Sequence, residues 1–286
     1  MMKKVLVIVG PTASGKTKLS LEIAKKFQAE IINGDSVQLY KGLDIGSAKV
    51  SVDEQKLIPH HLLDIFDPKE LKTVYDYQKL AREKIEVIDL PLIVGGTGLY
   101  IQSTLFDYEF NEQKISVNLE ELTNDELFEE LIKLDPYIEI DRFNRRRLIS
   151  ALKLALNNDL RSKKQNKHKP LYDACIIYLD LERSMQEDIF RKRLDMQLEQ
   201  GFIEEVEDLR KHGIHLNMIG YRELDQYLDG TISLEEAKEQ IINKTKKLAK
   251  RQKTWFKNQM HVHMFDALAQ DLFTHVQKQI EDFLKE

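Results

Sequence analysis

The stretch Gly10-Pro11-Thr12-Ala13-Ser14-Gly15-Lys16-Thr17 leaves this chain few folds to choose from. It matches G-x-x-x-x-G-K-[ST]. An apolar run, residues 5–9, precedes it, and a segment of helical spacing, Lys16–Phe27, follows. Strand, glycine-rich turn and helix together are the context in which the pattern means a polyphosphate site. Gly10 and Gly15 allow the tight turn that aims successive backbone N–H groups at an anion. The helix N-terminus adds partial positive charge at the same place. Lys16 supplies a full charge, and the Thr17 hydroxyl suits a magnesium ion. The motif fixes neither which polyphosphate is bound nor whether a phosphoryl group is what moves.

With 286 residues, 42% hydrophobic and 32% charged, the chain suits one large or two modest domains. No apolar run approaches the ~20 residues of a membrane span, so a soluble protein without membrane contact is expected. The single Cys175 lies in an apolar run and reads as a core residue, which fits a reducing cytoplasm. The net charge of −5 argues against indiscriminate nucleic-acid binding. The average hides patterning, however. Residues 107–141 carry twelve acidic and two basic side chains, residues 142–169 ten basic and one acidic, and residues 244–257 seven basic and none acidic. Two such basic stretches in an acidic protein point to a polyanion partner.

Strand-like and helix-like segments alternate over the first third. A strand ends at Asp35-Ser36, and another, residues 91–94, ends in Gly95-Gly96-Thr97-Gly98. This order predicts an α/β protein with a P-loop NTPase-like core: a parallel sheet flanked by helices. Ligands in such sheets lie beyond the carboxyl ends of strands, where the phosphate loop, Asp35 and residues 95–98 can converge. Residues 107–170 lose strand character and read as a small all-helical insertion. The core domain is then residues 1–106 and 171–286. Thr123-Asn124-Asp125-Glu126 and Ser184-Met185-Gln186-Glu187 both read as capping boxes. The second is expected to open one long helix to about Lys211 that contains Gly201. A helix from Ser233 is expected to run toward Asn258, and the polar tract 157–170 reads as a loop.

An ordinary NTPase places a second carboxylate at the end of a neighbouring strand to hold magnesium. Gly95-Gly96 occupies the first place to look. Asp180 reads as a turn residue, which leaves Asp35, one strand from the phosphate loop. Two candidates follow: a kinase for a small hydroxyl acceptor, or a transferase that uses the loop to bind a diphosphate leaving group.

Six segments then carry a resemblance. They are residues 10–17; residues 35–49, Asp35-Ser36-Val37-Gln38-Leu39-Tyr40 through Lys49; Pro59-His60-His61-Leu62-Leu63-Asp64; Gly95-Gly96-Thr97-Gly98-Leu99-Tyr100; Ile219-Gly220-Tyr221-Arg222-Glu223; and residues 249–256. In this order, over nearly the whole chain, they resemble the tRNA dimethylallyltransferase (isopentenyltransferase) family. The resemblance implies transfer of a dimethylallyl group from dimethylallyl diphosphate to N6 of the adenosine 3′ to the anticodon, with release of pyrophosphate. It implies Asp35 as general base, Thr17 as magnesium ligand and Arg193 as a diphosphate contact. Spacing alone cannot choose Arg193 within Arg191-Lys192-Arg193. The resemblance further implies diphosphate binding by Gly10, Pro11, Thr12, Ala13, Ser14, Gly15, Lys16 and Thr17. It implies tRNA contacts, through the anticodon arm, at Asp35, Ser36, Val37, Gln38, Leu39, Thr97, Arg146, Arg147, Ser150, Gly220, Tyr221 and Arg222. Mg2+ is the implied cofactor, and a cytoplasmic monomer is expected. Residues 244–257 are expected to add a phosphate-binding stripe. The chain departs from the family pattern at Asp141-Arg142-Phe143-Asn144, which is shorter, at Ser150, where the family has an arginine, and at Ser47, which replaces a threonine.

Overall fold

The segment KVLVIV is apolar on both faces, and its residues Val5 to Val9 are buried, as a central strand of a parallel sheet requires. The computed structural model describes residues 2–70, 72–110, 118–163 and 168–286. Among them six strands form one sheet: β1 (Lys4–Val9), β2 (Glu30–Asn33), β3 (His60–His61), β4 (Pro91–Gly95), β5 (Asp173–Asp180) and β6 (His263–Asp266). The order is β3-β2-β4-β1-β5-β6, and every pairing is parallel. Val9 pairs with Gly95 and with Tyr178, and Asn33 pairs with Val94. The strands β1, β2 and β4 therefore end level with one another. The segments that follow them, 10–17, 34–39 and 95–98, emerge on one edge. This is the expected parallel α/β core.

The helices are α1 (Lys16–Phe27), α2 (Val52–Leu57), α3 (Val74–Val87), α4 (Gly98–Leu105), α5 (Asn124–Leu134), α6 (Arg145–Leu156), α7 (Arg183–Glu199), α8 (Phe202–Lys211), α9 (Tyr221–Leu228), α10 (Leu234–Gln259) and α11 (Leu272–Lys285). Leu19, Ile23 and Ala24 of α1 join Val276, Ile280 and Phe283 of α11 over one sheet face. A second core gathers α7 to α10 around Phe190, Phe202, Tyr221 and Ile241. Thr123 caps α5 through reciprocal bonds with Glu126, as expected, and Ser233 opens α10 with a reciprocal cap to Glu236 that was not foreseen.

The expected long helix opened by Ser184 differs in two ways. The Ser184 hydroxyl donates to the Glu182 carboxylate instead of capping, and Glu182 is the N-cap residue. At Gly201 the backbone takes φ +101°, a conformation that favours glycine, and the helix divides there into α7 and α8. Ser51 and Glu54 form a capping box that starts α2.

The chain divides into two units, Met1–Leu105 with Leu171–Glu286, and Phe106–Pro170. The second unit packs α5 on α6 through Leu127, Leu131, Leu148 and Leu152. In the first unit the Leu171 N–H donates to the Leu105 carbonyl at 2.9 Å; in the second the Asp107 N–H donates to the Lys169 carbonyl at 2.8 Å. Of the basic tract 161–169, residues 164–167 lie outside the described residues. No helix among the described residues is long and apolar enough to cross a membrane. Cys175 is buried, and burial pushes its thiol up to about 12, in keeping with a core role.

Candidate active site

The turn after β1 is shaped by contact as much as by conformation. A Cβ on Gly10 would lie 2.7 Å from the Leu179 carbonyl oxygen, so only glycine fits beside β5. Gly15 takes the left-handed conformation, φ +78°, as the residue preceding α1. The Ser14 hydroxyl donates to the Pro11 carbonyl at 2.9 Å, and Ser14 is buried. Lys16 Nζ donates to the Gly10 and Pro11 carbonyls at 3.0 and 2.7 Å, so the ammonium folds back over the loop. Gly10, Pro11 and Ser14 are buried, whereas Gly15 and Thr17 are exposed. The buried residues line the inside of the turn.

Asp35 follows β2 in a turn built by Asn33. The buried Asn33 amide accepts from the Asp35 N–H and donates to the carbonyls of Asp35 and Leu62. The Tyr77 hydroxyl donates to the Asn33 carbonyl at 2.9 Å. Asp35 Oδ1 accepts from the Val37 N–H at 2.9 Å, an Asx turn that orients the carboxylate. The neighbouring loop closes on this one. A Cβ on Gly95 would sit 2.1 Å from the Gly34 carbonyl carbon, so Gly95 permits a backbone crossing no side chain would allow. The Thr97 N–H donates to the Gly34 carbonyl; its hydroxyl accepts from the Ser36 N–H at 3.1 Å and donates to Ser36 Oγ at 3.2 Å. Beside them Tyr77 stacks on Tyr100 with ring centroids 4.7 Å apart. Burial pushes the Tyr100 hydroxyl up to about 12, so it stays a neutral donor.

The three cationic candidates on α7 separate cleanly. Arg191 is held by Glu187 and Glu239, and Lys192 is exposed. Arg193 makes no hydrogen bond or ion pair among the described residues. Its guanidinium faces Lys16 and Asp35 electrostatically, and burial holds it below the usual arginine range. Burial, then the Arg193 charge, pull Lys16 down to about 8, with Asp35 opposing. Two cations and one carboxylate, all three partly exposed, thus face one another at the sheet edge. The two positive charges attract an anion, and the Val37 N–H occupies only Oδ1 of the Asp35 carboxylate.

Residues that spacing could not single out support these loops. The Glu205 carboxylate accepts the N–H groups of Asp44, Ile45 and Gly46 and the Tyr221 hydroxyl, at 2.7 to 3.1 Å. Gln197 donates to the Ile45 and Gly46 carbonyls. Lys49, its side chain 4% exposed, pairs with Asp44 and Asp64 and donates to the Tyr40 carbonyl. The only sequence signal was a charge inside an otherwise polar loop. Glu205→Ala strands three backbone donors. It is expected to lower unfolding stability by about 1–3 kcal/mol in urea titration, and unchanged stability would reject this bracing role.

The expected RNA-contacting residues divide by burial. Leu39 is 1% exposed and Tyr221 2% exposed, and Gly220 is buried. Leu39 is buried under its loop, and Tyr221 packs edge-on against Phe202. Ser36, Val37, Gln38, Thr97 and Arg222 are partly exposed, the last paired with the buried Glu223. In the other unit Arg146 and Arg147 are exposed, and Ser150 accepts a hydrogen bond from Arg161. On α10, Lys244, Lys246 and Lys253 are tied to Glu223, Glu187 and Asp180. Asp180 therefore ends β5 as an ion-pair partner. Lys247, Lys250, Arg251 and Lys257 are exposed and recur at helical spacing on one face.

Comparison with known proteins shows the family. A family model described as IPP transferase matches residues 38–259, and one described as isopentenyl transferase matches residues 3–63. The tRNA dimethylallyltransferase of Acholeplasma laidlawii is 48% identical over 283 residues, 99% of each chain. That of Bacillus subtilis is 39% identical over 97% of this chain and 98% of its own. A crystal structure of a tRNA isopentenylpyrophosphate transferase from Staphylococcus epidermidis aligns with TM-score 0.74 at 38% identity, over 98% of this chain and 99% of that one. A eukaryotic dimethylallyltransferase, crystallised acting on tRNA, aligns with TM-score 0.84 at 27% identity, over 99% of this chain and 80% of that one. With its glycine-rich turn after β1 and Asp35 after β2 on one sheet edge, and matched nearly end to end by these relatives, the chain belongs to the IPP transferase family.

Proposed function

We propose that this chain transfers the dimethylallyl group of dimethylallyl diphosphate to N6 of the adenosine 3′ to the anticodon of a tRNA, with Asp35 as base. The carrying observation is the grouping of Asp35, Lys16 and Arg193 at the phosphate loop. The first carbon of the allyl group loses its bond to the diphosphate oxygen and gains one to N6. The leaving diphosphate gathers negative charge, which the loop N–H groups, Lys16 and Arg193 stabilise. The adenine amine is a weak nucleophile because its lone pair is delocalised, and Asp35 takes the proton it sheds. Ser36 and Thr97 border the place where the extruded base would stand.

The donor set fits magnesium held mainly by substrate. Thr17 offers one exposed hydroxyl, and the described residues contain no cluster of three His, Cys, Asp or Glu. Magnesium binds in this way through few protein ligands and several phosphate oxygens. When bound it would neutralise charge on the departing pyrophosphate. The relatives' names favour this reaction over transfer of a phosphoryl group to a small hydroxyl acceptor.

The direct test supplies labelled dimethylallyl diphosphate with unmodified tRNA, and labelled ATP with small acceptors. Label in tRNA with pyrophosphate release is the expected result. Transfer of the ATP γ-phosphate without prenylation would overturn the reading. We further assign tRNA backbone contact to the exposed face of α10. Replacing Lys250 and Arg251 together by alanine should weaken tRNA binding and reduce the log K against log salt slope by about 1–2, with diphosphate affinity unchanged. An unaltered slope removes these residues from the interface.

A further inference from the structure

Helix α10 has a second face that meets the site from below. Gln252 Nε2 donates to the Gly96 carbonyl at 2.8 Å. A Cβ on Gly96 would lie 2.5 Å from that nitrogen and 3.5 Å from the Gly10 carbonyl oxygen, so the Gly96 peptide is wedged between Gln252 and the phosphate loop. One turn on, the Trp255 indole covers Gly98 so closely that a Cβ there would meet Cδ1 at 2.3 Å. Between the two glycines stands Thr97, whose hydroxyl holds both the N–H and the hydroxyl of Ser36, next to Asp35.

The polar chemistry of this contact is unusual. Gln252 Oε1 and Trp255 Nε1 are buried and have no hydrogen-bond partner among the described residues. Leaving a buried polar atom unpaired costs about 1–3 kcal/mol, so packing alone would favour an apolar residue at position 252. What glutamine adds is one directed N–H···O bond to Gly96. A chain of bonds then runs from α10 through Gly96 and Thr97 to Ser36 and the Asp35 turn.

We propose that Gln252 is a positioning residue, which fixes the Gly96-Thr97 peptides and through them the placement of the Asp35 carboxylate against the bound diphosphate ester. This inference rests on Asp35 being the base. Asp35 must face an amine that becomes reactive only over a short range, and a displacement of about 1 Å can lower a rate roughly 100-fold.

The test compares Gln252→Leu, Gln252→Glu and Asp35→Asn in full-length protein. It measures single-turnover prenyl transfer to unmodified tRNA and, separately, the affinities for dimethylallyl diphosphate and tRNA. Gln252→Leu is expected to lower the transfer rate about 10–100-fold while both affinities stay close to wild type. Gln252→Glu keeps the shape but sets a carboxylate against the Gly96 carbonyl. It should be as slow as Gln252→Leu at neutral pH. As pH falls, its rate relative to wild type should rise, because a protonated glutamate donates to Gly96. A wild-type rate in Gln252→Leu overturns the proposal. So does a wild-type rate in Gln252→Glu at neutral pH, which would leave only a packing role. An inactive Asp35→Asn beside fully active Gln252 variants would refute the positioning role alone; an active Asp35→Asn would refute the base assignment on which it stands.

Discussion

Asp35→Ala is expected to bind dimethylallyl diphosphate with near wild-type affinity and to transfer its prenyl group about 10²–10⁴-fold more slowly. The size follows from what the carboxylate does. In the proposed reaction it does not cradle the diphosphate, which the backbone N–H groups and cations hold, so its loss should leave binding nearly intact. It removes the acceptor for the proton that N6 sheds as the C–N bond forms. Alanine also releases the Val37 N–H from Asp35 Oδ1, which loosens the turn. Asp35→Asn separates the two effects, because its amide oxygen can still accept from Val37 but the side chain takes up no proton at neutral pH. Both variants should therefore be slow in single-turnover assays with measured Kd. A rapid Asp35→Asn paired with a slow Asp35→Ala would mean that Asp35 acts through loop shape and not as a base.

Lys16→Ala should fail in the complementary way, with diphosphate affinity and transfer rate falling together, the rate by about 10²–10³-fold. The wild-type protein supplies a sharper signature through pH. Before diphosphate binds, burial and Arg193 hold Lys16 at about 8, so it is charged below that pH and increasingly neutral above it. A bound diphosphate stabilises the ammonium and raises its pKa, so binding above pH 8 must take up a proton. Affinity is expected to fall as pH rises through 8, approaching about tenfold per unit, and to be flat below it. Calorimetry in buffers of different ionisation enthalpy measures the uptake directly. The difference in uptake between wild type and Lys16→Ala, which cancels the ligand's own ionisation, should be about half a proton at pH 8 and close to none at pH 6.5. Lys16→Ala should abolish the dependence. Proton release, or no linkage, would mean that Lys16 does not meet the diphosphate.

The core was readable because its signals are local. A doubly buried strand such as β1 is a continuous apolar run, and a glycine-rich turn before a helix announces its own geometry. The cap at Thr123 was visible for the same reason. Ser184 carried an identical pattern and did not cap, because Glu182 took its hydroxyl, a competition that spacing does not encode. Gly201 looked tolerable inside a helix until the Asp44–Gly46 backbone had to be met by Glu205 and Gln197 on either side of the break. Burial was the main thing sequence could not supply. Leu39 and Tyr221 lie within segments that resemble the family, yet they are core residues under the loops. Arg191, Lys192 and Arg193 are chemically alike in sequence, and only their neighbours distinguish them. Gln252 was hidden by its surroundings, since a glutamine among lysines on a long helix reads as solvated surface.

The neck between Leu105 and Leu171 bears on how this fold can vary over evolutionary time. The chain leaves the core and re-enters it at two residues joined by a 2.9 Å hydrogen bond. The entropy of closing the intervening segment grows only with the logarithm of its length, about 0.6 kcal/mol per doubling. Residues may be gained or lost between these points without altering the strand register that aligns β1, β2 and β4. Selection can therefore reshape the insertion while the catalytic edge stays as it is. Length differences among relatives should gather on the far side of this gate, and the spacing from Gly10 to Thr97 should be held more tightly.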